Sequence, residues 1–210
     1  FGQDISINSD GSYVIVGAVN EDTGGSNAGA AYIFTRSGST WTQQQKITAS
    51  DAEANDNFGF LVSINGDGTY VAVGAPGENG STGAAYVFTR SGSTWTQQQK
   101  ILSSDIQVGD VFGYSVSMNS NGSIILISAK DEDGGAGDPL PQSGAAYIFS
   151  RSGSTWTEQR KLTASDAASA DGFGISAAIT SDGTYSIIGA AFEDRGPLSD
   201  AGAAYIYEAG

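Results

Sequence analysis

Cysteine and histidine are both missing from the 210 residues. That absence removes disulfides, thiol catalysis, most zinc sites and every histidine-based triad. Basic side chains are scarce too: nine Lys and Arg stand against 23 Asp and Glu, a formal net charge of −14. Such a chain repels nucleic acid and anionic membranes and attracts cations. No apolar run approaches the length of a bilayer span, so membrane insertion is not expected, and no signal peptide opens the sequence, as for a mature chain that starts after one. A nucleophile elbow, a phosphate loop and a marked pair of carboxylates in an apolar cleft are all lacking, which argues against an enzyme.

What the chain has is repetition. Phe-Gly falls at 1, 58, 112 and 173, and Gly-Ala-Ala-Tyr follows at 29, 83, 144 and 202. Trp41, Trp95 and Trp156 mark a third landmark, and Phe34 to Ile47 is identical to Phe88 to Ile101, fourteen residues in a row. A glycine-rich, β-prone unit recurring every 50 to 60 residues or so builds an array of small sheets, typically propeller blades. We divide the single domain into repeats of about 1–57, 58–111, 112–172 and 173–210.

Turn chemistry cuts four strands from each unit. In the second, Phe58 to Ile64 ends at Asn65-Gly-Asp-Gly68, whose residues tolerate the positive φ of a tight hairpin. Tyr70 to Ala75 closes at Pro76-Gly77, Ala84 to Arg90 turns at Ser91-Gly-Ser93, and Thr94 to Leu102 completes the set. Strands one and two are uncharged here and in the fourth repeat, so they ask to be covered on both faces. Strand four, Trp-Thr-Gln-Gln-Gln-Lys, suits a solvated rim. The expectation is an all-β propeller of four antiparallel up-and-down blades, strand one near an axis and strand four outermost. The fourth repeat stops after strand three, giving a last blade without its fourth strand. Either the last blade has three strands, or the remaining sequence lies outside this chain, which is then part of a larger propeller, or strand three is an open edge that accepts a strand from another molecule.

These residues resemble the FG-GAP repeat, found in the propeller of integrin α subunits and in many bacterial surface and secreted proteins. Phe58-Gly59 and Gly74-Ala75-Pro76 carry both halves of that name. The second half reads Gly17-Ala18-Val19, Ser128-Ala129-Lys130 and Gly189-Ala190-Ala191 in the other copies. The resemblance is closest to the bacterial branch and implies a propeller in an extracellular setting, secreted or on the cell surface.

Seventeen of the acids fall in the loops after strands two and four, Asp131, Glu132, Asp133 and Asp138 among them, while Arg36, Arg90 and Arg151 belong to the opposite face. A polarised molecule with an acidic mouth is expected. Integrin relatives carry a D-x-D-x-D-G-x-x-D calcium loop between strands one and two; aligned on Asp67-Gly68, this chain has Ser63 and Val71 at the outer positions, so that site is read as lost. The remaining calcium candidates are Asp51 with Asp56, Asp105 with Asp110 and Asp166 with Asp171, recurring five residues apart before Phe-Gly. The competing reading is that they cap turns through backbone N–H groups. The tryptophans fit either a sugar-stacking platform or packing between blades, and we read them as packing. Asn79-Gly-Ser81 and Asn121-Gly-Ser123 fit the N-glycosylation acceptor pattern.

The functional expectation is a non-catalytic extracellular structural or adhesive protein, a self-assembling surface or fibre subunit that binds itself or other surface proteins through blade edges and loops. The alternative is a lectin-like module binding carbohydrate or calcium at its repeated loops.

Overall fold

The computed structural model describes residues 1–133, 140–194 and 200–209. Four antiparallel sheets follow one another along the chain. Blade 1 holds β1 (Ile5–Ile7), β2 (Tyr13–Ala18), β3 (Ala30–Ser37) and β4 (Thr40–Ile47). Blade 2 holds β5 (Val62–Ile64), β6 (Tyr70–Ala75), β7 (Ala84–Ser91) and β8 (Thr94–Ile101). Blade 3 holds β9 (Phe112–Met118), β10 (Ile124–Ala129), β11 (Ala145–Ser152) and β12 (Thr155–Leu162). Blade 4 has three strands, β13 (Phe173–Ile179), β14 (Tyr185–Ala190) and β15 (Ala203–Glu208). A single turn, α1 (Glu78–Ser81), between β6 and β7 is the one helical stretch among the described residues.

In blades 1 to 3 the first hairpin is locked by its own asparagine. The Asn65 side-chain oxygen accepts the amides of Thr69 and Tyr70, both at 2.9 Å, while its Nδ2 donates to Asp67. Gly68 takes φ 68°, the left-handed turn that a Cβ would penalise. Asn8 and Asn119 repeat the device, and in blade 4 the Thr180 hydroxyl substitutes for it, accepting the amides of Thr184 and Tyr185. Asp67 is thereby a turn residue. The second hairpin of blades 1 to 3 carries a bulge at one equivalent place, between Ile33 and Phe34, Val87 and Phe88, Ile148 and Phe149.

Successive blades bury one apolar layer per joint. Val71, Val73 and Tyr86 of blade 2 meet Ile15 and Ile33 of blade 1, while Ala72, Ala85 and Val87 on its other face meet Phe112, Val116 and Ile127 of blade 3. Leu126 and Ile148 join Phe173 and Ile188 in the last joint. Inner strands carry most of this packing, β5 against β1 and β2, β9 against β5 and β6, β13 against β9 and β10, whereas outer strands touch lightly. Strand one therefore lies inward and strand four outward, the order expected of a propeller. No principal contact joins blade 1 to blade 4 among the described residues.

Strand one of blade 2 is shorter than Phe58–Ile64. Phe58 leaves its own sheet and forms a parallel bridge to Gly29 of blade 1, so only Val62–Ile64 stays in the ladder.

Candidate functional site

The repeated residues converge on the joint between blades. Phe58 is fully buried, donates its amide to Ala28 O of blade 1 at 3.0 Å and stacks edge-on against Tyr86 and Phe88 of its own blade. Phe112 and Phe173 repeat this against Thr82 O and Ser143 O, both at 3.0 Å. The Phe-Gly dipeptide is thus a plug, and the Gly-Ala pairs of the preceding blade are its socket. A Cβ on Gly17 or Gly29 would collide with the carbonyls of Gly59 and Phe58, which is why both positions are glycine. Blade 3 solves the contact differently: Ser128 stands where glycine does elsewhere, and its hydroxyl donates to Gly174 O at 2.6 Å while accepting the Ser115 amide at 2.9 Å.

A second contact lies at the rim. Gln45 of blade 1 grips the Trp95 backbone of blade 2 with both ends of its amide, at 2.8 and 2.9 Å, and Gln44 accepts the indole N–H at 2.9 Å. Gln99 and Gln98 hold Trp156 of blade 3 in the same way. Gln44, Gln45, Gln98 and Gln99 are half-buried clasps, whereas the sequence suggests a wet rim for the whole of strand four. On the same side Arg90 lies 4.5 Å from the Tyr13 ring centre and Arg151 4.3 Å from that of Tyr70, each arginine steered by a bond to the Gly68 or Gly122 carbonyl of its own hairpin.

The recurring acids divide into two roles. Asp51 accepts Lys100 Nζ at 2.8 Å and the Tyr86 hydroxyl at 2.9 Å, both from the next blade, and Lys100 also pairs with Glu78 at 2.6 Å. Asp105 repeats this with Lys161 and Tyr147, while Lys161 reaches Glu132; Asp166 accepts Tyr205 at 2.6 Å. Burial opposes ionisation of Asp51 and Asp105, but the lysine and tyrosine bonds outweigh it and hold both below the ordinary carboxylate range. Burial also pushes the Tyr86 and Tyr147 hydroxyls up. The second acid of each pair turns inward instead. Asp56, Asp110 and Asp171 are buried and accept the amides of Glu53, Gln107 and Ala168 at 2.6 to 2.7 Å, closing the loop before Phe-Gly. Burial raises Asp56 and lifts Asp110 to about 6.

No group of three or more acids with metal-binding spacing occurs among the described residues. Asn79 and Asn121 are exposed, the latter capping the Ser123 amide, and Asp138 lies outside the described residues. The acidic loops meet along one face, laced by Lys46, Lys100 and Lys161, while the three arginines sit at the hairpins opposite. The sequence alone places Gln44, Gln45 and Lys100 on a solvated rim and gives neither them nor Lys161 a part in a joint, although each recurs at a fixed offset from its tryptophan.

At the two ends of the array the same parts stand open. On blade 1, Trp41 is 40% exposed where Trp95 and Trp156 are each 3%, and Phe1 is 76% exposed. A hollow of about 310 Å³ lies between Val14, Phe34 and Trp41. On blade 4, Tyr185 and Ile206 are 48% and 70% exposed around an apolar groove that includes Ile187, and the Gly-Ala socket forms a hollow of about 570 Å³ bounded by Gly189, Ala190, Gly202 and Ala203.

No curated protein matches the chain in sequence. Among solved structures it is similar to the crystal structure of TolB from Acinetobacter baumannii, with a TM-score of 0.54 at 11% identity. The superposition covers 98% of this chain and 40% of TolB, so the chain spans less than half of that protein's length, and the likeness is one of propeller fold. The profile of the FG-GAP repeat matches residues 1–34, 41–88, 95–149 and 156–207, so that each match after the first opens on the outer strand of one blade and closes on the third strand of the next. With Phe-Gly plugs at all three joints and glutamine clasps at the first two, this chain belongs to the FG-GAP repeat family.

Proposed function

We propose that this chain is a non-catalytic structural or adhesive module that works outside the cell through protein contacts. The observation that carries the reading is how its recurring polar side chains are used. The lysine, tyrosine and aspartate of each full joint bond one another, and the tryptophans and glutamines do the same. The large apolar side chains that remain exposed are Phe1, Ile5, Ile7 and Trp41 on blade 1, Tyr185, Ile187, Phe192 and Ile206 on blade 4, and Leu102 and Val108 in the loop between blades 2 and 3. Contiguous exposed apolar surface of that kind favours a protein partner. The extracellular setting is supported by the resemblance to secreted and surface FG-GAP proteins and by a formal charge of −14, which favours solubility.

Three assays on soluble protein test the reading together. Glycan-array binding, polysaccharide hydrolysis and calcium titration by calorimetry are each expected to be silent. Specific sugar binding, or heat from calcium with a raised melting temperature, would replace it with the lectin-like alternative, and turnover abolished by one carboxylate substitution would make the chain an enzyme.

A further inference from the structure

Three Asn-Gly dipeptides occur in the chain: Asn65-Gly66, Asn79-Gly80 and Asn121-Gly122. Asparagine is thermolabile, and before glycine it is least protected, because no Cβ on the following residue screens the asparagine Cγ from the next backbone nitrogen. The fold shields two of the three. Asn65 is 1% exposed, its Oδ1 holds the amides of Thr69 and Tyr70, and the Gly66 amide that would attack it donates to Ser120 O at 2.8 Å. Asn121 is exposed, but its Oδ1 accepts the Ser123 amide at 2.9 Å and the Gly122 amide donates to Asn119 O at 3.1 Å. Asn79 and Gly80 are both exposed. Asn79 bonds through its backbone, its carbonyl accepting the Thr82 hydroxyl at 2.9 Å, and among the described residues neither its side chain nor the Gly80 amide makes a hydrogen bond. A Cβ on Gly80 would meet nothing within 4 Å, so water and base reach its nitrogen.

We infer that Asn79-Gly80 is a self-modification site, which deamidates in the folded protein ahead of the other two and thereby loosens the joint between blades 2 and 3. The Gly80 nitrogen gives its proton to hydroxide and attacks Asn79 Cγ. The N–Cγ bond forms, the Cγ–Nδ2 bond breaks, and Nδ2 takes a proton from water and leaves as ammonia. Water then opens the succinimide at one of its two carbonyls, giving aspartate or isoaspartate; nothing is oxidised or reduced. Isoaspartate carries the main chain through the β-carboxyl and so lengthens the backbone by one atom. The turn that receives it, α1, anchors the next blade: Ser81 O accepts the amides of Gly109 and Val111 at 3.1 and 3.0 Å, and Thr82 O accepts that of Phe112, the plug of blade 3, at 3.0 Å. Either product also sets a new carboxylate beside Glu78, which already shares Lys100 with Asp51.

Peptide mapping by mass spectrometry tests this on the whole chain, kept folded at mildly alkaline pH and sampled over weeks, with a parallel sample kept unfolded in urea. Deamidation is read from the mass gained when the amide nitrogen is replaced by oxygen, and isoaspartate is separated from aspartate by retention time. In urea the three dipeptides are expected to convert at similar rates. In the folded protein Asn79 converts first, Asn121 follows up to about tenfold more slowly because its hydrogen bonds must break, and Asn65 comes last because its hairpin must open. Aged wild type should exchange the Gly109, Val111 and Phe112 amides faster than fresh protein. Aged Asn79→Gln protein, whose ring closure would need six members, should keep the fresh values, with circular dichroism checking its β-sheet spectrum; if that variant does not fold, the wild-type ranking decides alone. Asn65 or Asn121 converting as fast as Asn79 in the folded protein overturns the inference, as does an Asn79 that stays intact while the unfolded sample converts. Conversion at Asn79 with unchanged exchange at those three amides overturns its link to the joint.

Discussion

Gly17 and Gly59 pass backbone to backbone across the first joint, so close that a Cβ on Gly17 would run into the Gly59 carbonyl. Gly74 meets Gly113 in the same way. Gly17→Ala and Gly74→Ala are each expected to cost about 1–3 kcal/mol or more, since the obstacle is backbone and cannot rotate aside. Ser128→Ala should cost about 1–3 kcal/mol, because it leaves the buried Ser115 amide and the Gly174 carbonyl without their hydroxyl. Urea unfolding followed by far-UV circular dichroism measures all three.

Trp41 and Trp95 sit in identical fourteen-residue segments and have opposite environments, 40% against 3% exposed. Trp95→Ala is therefore expected to lose about 3–5 kcal/mol. Trp41→Ala should change monomer stability by about 0.5 kcal/mol or less. Iodide quenching gives an independent check: one tryptophan of the three should be accessible in dilute protein.

The two lysine latches differ in depth. Lys161 pairs with Glu132, whose side chain is 1% exposed, while Lys100 pairs with Glu78 and Asp51 at 14% and 45%. Lys100→Met should cost about 1 kcal/mol, in the range of partly exposed pairs. Lys161→Met should cost more, about 2–3 kcal/mol, because a desolvated carboxylate loses a cation. Equal melting shifts for the two variants would contradict the burial argument.

Acidification should first stabilise the fold and then destabilise it. Asp110 titrates near 6 when folded, against 3.8 as its ordinary value, chiefly through burial, so its contribution is full below 3.8 and is lost as pH rises through 6. Asp56 is shifted the same way. Asp51 and Asp105 are held low, and their contribution is lost as pH falls below about 3.8. The melting temperature is expected to rise from pH 7 towards about pH 4.5 and to fall below about pH 4. Asp110→Asn, which can still accept the Gln107 amide, should flatten the rise and leave the acid fall in place.

Much of this architecture was legible because each repeat states its own turns. Asn65-Gly-Asp-Gly68 marks the first hairpin, and β6, β7 and β8 fall within a residue of the expected spans. The order of strands from inside to outside also followed from charge, since uncharged Tyr70 to Ala75 had to be covered on both faces. What composition hid was pairing across joints. Phe58 reads as the start of a strand, yet its hydrogen bond goes to Ala28, thirty residues upstream. The glutamines read as surface, because one sequence cannot show that an amide's two ends meet the N–H and C=O of a tryptophan some fifty residues away. Asp51 and Asp56 look alike in the chain and diverge only when the next blade supplies a lysine to one of them.

Near-identical leaflets raise the problem of stacking in the wrong sequence, because any Phe-Gly resembles any other. The serine at position 128 breaks that degeneracy. Its hydroxyl makes the third receptacle chemically unlike the glycine-lined ones, so the final leaflet has an address of its own and the array carries a fixed polarity from first to last.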